Sequence, residues 1–197
     1  FGESWIGGVA ELAAQARASS FEQVLDFPML FAVNKVLAEG EAPQKIGGVV
    51  TSDIAYEGGA EAATRLPVFA GNHDFGRFAG ELQRKRAGLS ASQQLAATKL
   101  AHALLFFNRG VPVIYYGDEQ GFAGDGGDQA AREDMFPSKV DSYNDNRLIG
   151  TNATTAQSNF DVKHPLYRAI GDMARAYRMH PGLRRSAAEV RRADGDK

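Results

Sequence analysis

The sequence contains no cysteine, which excludes disulfide bonds, thiolate nucleophiles and cysteine-type zinc sites. It also lacks any apolar run approaching the roughly 20 residues that a membrane-spanning helix needs. Its net charge is only −2, and its 22 Lys and Arg residues are scattered, so nothing in the charge pattern favours nucleic acid or an anionic membrane as a partner. We therefore expect a soluble protein whose ligand is neutral.

Strand-like and helix-like segments alternate along the 197 residues, of which 44% are hydrophobic. Strand-like apolar runs occupy residues 24–27, 66–69 and 111–114. The predicted helices begin at Pro28, at Ser90 with Gln93 in a capping box, and at Pro165, and they end near Gly40, Gly110 and His180. Such alternation indicates a parallel sheet in an α/β fold. The length is below the roughly 250 residues of a complete (β/α)8 barrel.

Polar side chains follow two of the predicted strands, at the point where each apolar run ends. The segment Phe69–Phe78 reads FAGNHDFGRF, and the segment Gly110–Glu119 reads GVPVIYYGDE. Ligands of parallel α/β folds bind at the carboxyl ends of the strands, so we expect these residues to face one common pocket. This pattern predicts that the chain is part of an enzyme.

These segments, together with GESW at residues 2–5 and LDFP at residues 25–28, resemble the late barrel strands of the alpha-amylase superfamily, glycoside hydrolase family 13. The resemblance implies the second half of a (β/α)8 TIM barrel, about strands 5 to 8 with their helices. It places a partial catalytic barrel at residues 1–185, with a long loop at 117–164 over the barrel mouth. Residues 186–197 would begin a linker or a C-terminal β-domain.

The resemblance also assigns roles to individual side chains. Hydrolysis with retention needs two carboxyl groups roughly 5 Å apart, one acting as acid/base and the other as nucleophile. Glu3 matches the general acid/base, with Trp5 helping to desolvate it. Asp74 matches the third carboxylate of the family, which favours the oxocarbenium-like transition state, and His73 matches its hydroxyl-binding partner.

Further residues are assigned to substrate binding or to positioning. Asn72 and Arg77 are predicted to orient Asp74 or to bind substrate. Gly71 departs from the family, where an acidic residue is common. The segment Arg132–Met135 resembles the R-x-x-M segment of the family, and a subsite role and a solvated charge run both stay open. His102 is predicted to be a packed histidine of its helix, not a ligand.

The family nucleophile is an aspartate after the fourth strand, and we expect that strand to lie upstream of Phe1. This chain alone is therefore expected to be inactive. No metal or other cofactor is assigned to it, although the resemblance implies a calcium ion held by upstream residues of the complete enzyme. A secreted or periplasmic location is likewise implied by the resemblance.

Two other functions stay open beside a retaining glycoside hydrolase acting on α-linked glucans or oligosaccharides. The first is a non-catalytic carbohydrate-binding or assembly fragment. The second is a calcineurin-like metallophosphoesterase, because GNHD at residues 71–74 and Asp53 upstream resemble its metal-binding motifs. Two-metal hydrolysis needs a cage of carboxylates and imidazoles, and Tyr56 stands where that family has its second aspartate.

Overall fold

A computed structural model describes residues 1–192, and the chain divides into two compact units. The first unit contains residues 1–69, 104–113 and the segment from Ala176 onward; the second contains residues 70–103 and 114–175. The helices are α1 (Val9–Ala18), α2 (Phe27–Val33), α3 (Gln44–Ser52), α4 (Phe78–Lys85), α5 (Ala91–Phe107), α6 (Pro165–Met179) and α7 (Gly182–Arg185). The strands are β1 (Pro67–Val68) and β2 (Val111–Pro112).

Short parallel segments form the sheet of the first unit. Strands β1 and β2 pair in parallel with Pro67 opposite Val111 and Val68 opposite Pro112. A parallel bridge joins Gly2 to Val24, and the backbone N–H of Asp26 donates to the carbonyl of Pro67 at 3.0 Å. Backbone hydrogen bonds therefore link four successive segments in chain order, as the alternating sequence pattern predicts. The two regular strands of the described chain are only two residues long. The assignment of the four linked segments to strands 5 to 8 of a barrel stays a prediction.

Helix α2 begins one residue earlier than the sequence predicts. Phe27, expected at the end of a strand, is already helical, because Asp26 caps the helix by accepting a hydrogen bond from the Met29 N–H at 3.0 Å. The helix then widens into a π-helical turn at Asn34–Ala38, where the Glu39 N–H donates to the Asn34 carbonyl. It ends before Gly40, whose φ of +78° suits glycine.

The other predicted helix boundaries are confirmed. Ser90 and Gln93 form the capping box of α5: the Gln93 N–H donates to Ser90 Oγ at 3.3 Å, and the Ser90 N–H donates to Gln93 Oε1 at 2.9 Å. Gly110, which follows that helix, has a φ of +103°, and a Cβ there would lie 2.6 Å from Val68 Cγ1. Only glycine lets the chain enter β2 at this point. Helix α6 starts at Pro165 and ends at Met179.

Each unit has its own apolar core. In the first unit one core cluster contains Val9, Leu12, Ala13, Val24, Tyr56, Ala63 and Leu66. In the second unit a core cluster contains Ala79, Ala123, Ile149 and Leu166. Within the described residues, none of the helices combines the length and the apolar character needed to cross a membrane.

The predicted long loop, residues 117–164, contains short 3-10 turns at Asp118–Gln120, Asp128–Ala131 and Asp141–Tyr143 and one isolated bridge between Arg147 and Thr154. The division into a partial barrel at 1–185 and a linker or domain start at 186–197 stays a prediction. Residues 193–197 of that last segment lie outside the described residues.

Candidate active site

A tight turn after β1 carries the predicted sugar-binding residues. Asn72 and Gly76 exchange backbone hydrogen bonds of 3.0 Å each, and Asn72 Oδ1 accepts from the N–H groups of Asp74 at 3.0 Å and Phe75 at 2.7 Å. The Asn72 side chain therefore fixes the turn itself. Gly71 is required beside it, because a Cβ at that position would lie 2.3 Å from the Gly76 carbonyl oxygen.

Asp74 lies at the tip of this turn with 34% of its side chain exposed. Arg132 Nη2 donates to Asp74 Oδ1 at 3.0 Å, and His73 Nε2 lies 3.4 Å from Asp74 Oδ2. Arg132 also contacts Asp128 Oδ1 at 2.6 Å. Two side chains thus fix the direction of the Asp74 carboxylate while leaving part of it accessible to a ligand.

The backbone of the long loop packs directly against the turn. The Asp128 N–H donates to the Asp74 carbonyl at 2.9 Å. A Cβ on Gly127 would lie 2.6 Å from that carbonyl oxygen, and a Cβ on Gly76 would lie 2.8 Å from the Gly126 carbonyl oxygen. Gly76 and Gly127 therefore permit a backbone-to-backbone contact that larger residues would prevent.

Arg77 follows the turn and is completely buried. Its Nε donates to Glu133 Oε2 at 2.9 Å, and its Nη1 donates to Asp118 Oδ1 at 3.1 Å and to the Tyr116 carbonyl at 2.7 Å. Its guanidinium carbon lies 4.4 Å from the centroid of the Tyr115 ring. Burial raises the pKa of Glu133, and the charge of Arg77 offsets part of that rise. This arrangement joins the turn to the long loop from within the unit, and it leaves Arg77 no exposed surface in the structure.

The other two predicted site residues belong to the first unit. Glu3 follows Gly2, whose bridge to Val24 places it at the end of a sheet segment, and its side chain is exposed. Trp5 is 53% exposed and stacks on Phe27 with ring centroids 5.1 Å apart. Asn72, His73, Asp74 and Arg77 all lie in the second unit.

Sequence reasoning missed the partners of these residues. The sequence is compatible with Arg132 in a subsite or in a solvated charge run, and the structure pairs it with Asp74, 58 positions away. Glu133, which is completely buried, looked like a member of that same charge run. The signal that could have revealed it is charge balance: a buried arginine such as Arg77 requires carboxylate partners.

The phosphoesterase alternative depends on Asp53, which the structure places in a different buried cluster. Arg109 donates from Nε to Asp53 Oδ2 at 2.6 Å and from Nη2 to Asp53 Oδ1 at 2.7 Å, and it also contacts Asp26. Both oxygens of Asp53 thus serve a bidentate ion pair. In the described part of the chain, no group of three or more His, Asp or Glu side chains is arranged to hold a metal ion.

Comparisons with known proteins match this chain to amylases. A family model described as "Alpha amylase, catalytic domain" matches residues 1–168. The chain is 36% identical over 183 residues to an alpha-amylase of Streptomyces lividans, covering 93% of this chain and 20% of that protein. It is 29% identical over 174 residues to a beta/alpha-amylase of Paenibacillus polymyxa, covering 88% of this chain and 12% of that protein.

Solved structures show the same fold. A gamma-CGTase from alkalophilic Bacillus clarkii matches with a TM-score of 0.69 at 23% identity, over 100% of this chain and 24% of that one. An alpha-amylase from Geobacillus thermoleovorans, complexed with acarbose, matches with a TM-score of 0.65 at 20% identity, over 93% of this chain and 34% of that one. The chain thus spans between 12% and 34% of the length of these four relatives.

Proposed function

The chain belongs to the alpha-amylase superfamily, glycoside hydrolase family 13, and we propose that it supplies part of the active site of a retaining enzyme that acts on α-linked glucans or oligosaccharides. The observation that carries the proposal is the geometry of Asp74. Its carboxylate is oriented by Arg132 and His73 and stays partly accessible, as a group that receives sugar hydroxyls must be.

Asp74 would act on the transition state. Its negative charge would stabilise the oxocarbenium-like species, whose positive charge develops as the glycosidic bond breaks. Because Arg132 and the Asn72 turn already hold the carboxylate, little reorganisation is needed when substrate binds. His73, which is 53% exposed, would hydrogen-bond the sugar hydroxyls.

Glu3 would be the general acid/base. It would protonate the leaving glycosidic oxygen in the first step and activate water in the second. The exposed half of Trp5 offers an aromatic face on which a sugar ring can pack. The nucleophile is assigned to a part of the enzyme outside this segment, which corresponds to 20% of the Streptomyces lividans relative. The same proposal includes three further points. The chain would form the C-terminal half of the catalytic barrel, a calcium site would lie upstream in the complete enzyme, and the enzyme would be secreted or periplasmic.

A chimera tests this assignment. The segment of the Streptomyces lividans alpha-amylase that matches this chain is replaced by this chain, and turnover is measured on starch and on a maltoside with an activated leaving group. Glu3→Gln should lower turnover of starch about 10²- to 10⁴-fold while sparing the first half-reaction of the activated maltoside, which needs no proton. Asp74→Asn should lower turnover of both substrates about 10²- to 10³-fold.

Matched controls are the exposed carboxylates Glu11 and Asp172, whose amide variants should keep the activity of the parent chimera. Equal loss on both substrates in Glu3→Gln would argue against acid/base catalysis, and wild-type turnover in Asp74→Asn would remove Asp74 from the site. A folded chimera that binds maltotriose without cleaving it would instead favour the non-catalytic alternative.

A further inference from the structure

His102 is a buried histidine of α5 whose hydrogen bonding fixes the position of one proton. It is 1% exposed, and its Nδ1 lies 2.9 Å from the carbonyl oxygen of Thr98. A carbonyl oxygen can only accept a hydrogen bond, so Nδ1 must carry a hydrogen. If the ring is neutral, Nε2 is then a bare acceptor.

Nε2 of His102 faces a carboxylate. It lies 3.7 Å from Asp118 Oδ2, and within the described residues it is buried without a hydrogen-bond partner. A bare nitrogen lone pair opposite a carboxylate oxygen is repulsive, whereas an N–H at that position is attracted to it. The geometry therefore favours the ring with hydrogens on both nitrogens.

Carboxyl groups outnumber the cations around His102. In the described part of the chain, Arg77 pairs with the buried side chains of both Asp118 and Glu133, and the carboxyl group of Glu119 also lies near the ring. An uncompensated buried charge is unfavourable, and a protonated His102 would compensate the carboxylate of Asp118 that it faces. Burial opposes the charged ring, but Asp118, the Thr98 carbonyl and Glu119 together outweigh it, so the pKa of His102 is raised above its ordinary value.

We propose that His102 is a buried imidazolium that positions Asp118 and, through it, Arg77, the residue directly after the Asn72–Gly76 turn. Asp118 Oδ1 accepts a hydrogen bond from Arg77, and Asp118 Oδ2 faces Nε2 of His102. His102 is thus a positioning residue for the turn that bears Asp74. Its effect on catalysis rests on the function proposed above; its charge state does not.

A second buried histidine of the same unit provides an internal control. His164 is 2% exposed, but its Nδ1 accepts a hydrogen bond from the Leu166 N–H at 3.2 Å and so carries no hydrogen. Burial lowers the pKa of His164. Hence the two buried histidines should differ: a doubly protonated ring at 102 and a neutral ring with its hydrogen on Nε2 at 164.

Nitrogen NMR measures this difference directly. The 197-residue chain is labelled with ¹⁵N-histidine and recorded at about pH 7.5, roughly one unit above the ordinary histidine pKa of 6.5. His102→Gln and His164→Gln assign the two buried rings. We expect two N–H-type ring nitrogens for His102 and one for His164. A neutral His102 ring at this pH would overturn the charge-state inference.

The Asp118→Asn substitution tests whether the charge of Asp118 keeps the His102 ring protonated, which a purely structural contact would not do. Removing the facing charge should convert the His102 signal to that of a neutral ring at the same pH, while the His164 signal is unchanged. If the His102 ring stays doubly protonated, Asp118 is not its partner and the proposal fails. Circular dichroism checks that each variant is folded, and the parent spectrum alone still tests the charge state if a variant does not fold.

The positioning role is tested in the chimera. His102→Gln should lower kcat about ten- to a hundredfold, as expected when a catalytic group is misplaced, with little change in KM. It should have little further effect in the Asp74→Asn background, because both changes act through the same group. Additive losses or an unchanged kcat would refute positioning. Wild-type turnover in Asp74→Asn alone would instead refute the proposed function and leave the NMR result standing.

Discussion

Replacing Arg77 by methionine tests the central electrostatic feature of the second unit. Methionine keeps most of the aliphatic volume and the contact with Tyr115, but it removes the hydrogen bonds to Glu133, Asp118 and the Tyr116 carbonyl. Both carboxylates are buried, so they would lose their arginine partner inside the protein. Removing one partner of a buried ion pair costs about 3–5 kcal/mol. A domain typically has about 5–15 kcal/mol of unfolding free energy, so much of the stability would be lost.

Arg132→Met is the matched control. Arg132 also pairs with carboxylates beside the same turn, but 43% of its side chain is exposed, and such pairs contribute about 0–1 kcal/mol. Urea unfolding of the 197-residue chain, followed by circular dichroism, should therefore show a large fall in midpoint for Arg77→Met and little change for Arg132→Met. Equal slopes of the transitions would show that stability, not the denatured state, has changed.

A second substitution tests the cause. Glu133→Leu in the Arg77→Met background removes one of the two carboxylates that have lost their arginine partner, so it should recover part of the lost stability. The reasoning would be refuted if Arg77→Met cost less than about 1 kcal/mol, or if Glu133→Leu lowered the stability of the Arg77→Met protein further.

The remaining predictions concern the turn and the pH dependence of stability. Gly71→Ala should cost about 1–3 kcal/mol, because its Cβ would lie 2.3 Å from the Gly76 carbonyl oxygen, whereas Gly88→Ala, with nothing within 4 Å, should be neutral in the same urea assay. The contribution of His102 to the free energy of unfolding, measured as the difference between the parent and His102→Gln, should fall as pH rises through the raised pKa of His102, since the folded state then loses a proton that it binds more tightly than the unfolded state. A His102→Gln protein whose stability shows the same pH dependence would contradict this.

The sequence predicted those elements whose causes are local. The apolar runs at residues 66–69 and 111–114 contain β1 and β2, and the Ser90 capping box and Pro165 mark the starts of α5 and α6. Four helices were not identified: α1, α3, α4 and α7. Of these, α3 includes two glycines, which lower the intrinsic helix propensity of its sequence.

The buried ion pairs could not be predicted, because they join residues far apart in the chain. Arg77 and Glu133 are 56 positions apart, as are Arg109 and Asp53. In the sequence, Glu133 is one of several neighbouring charged residues, and nothing local separates a buried carboxylate from a solvated one. His102 was predicted to be packed, and it is buried, but its charge depends on Asp118, which its own helix does not contain.

The glycine contact between the Asn72–Gly76 turn and the loop at Gly126 and Gly127 has a practical consequence for protein engineering. The two segments meet through their backbones, so neither can be exchanged between homologues without the other. A recombination library should place its crossover points outside residues 71–133 and treat that stretch as one cassette. Crossovers inside the cassette would displace Asp74 although every carboxylate is retained.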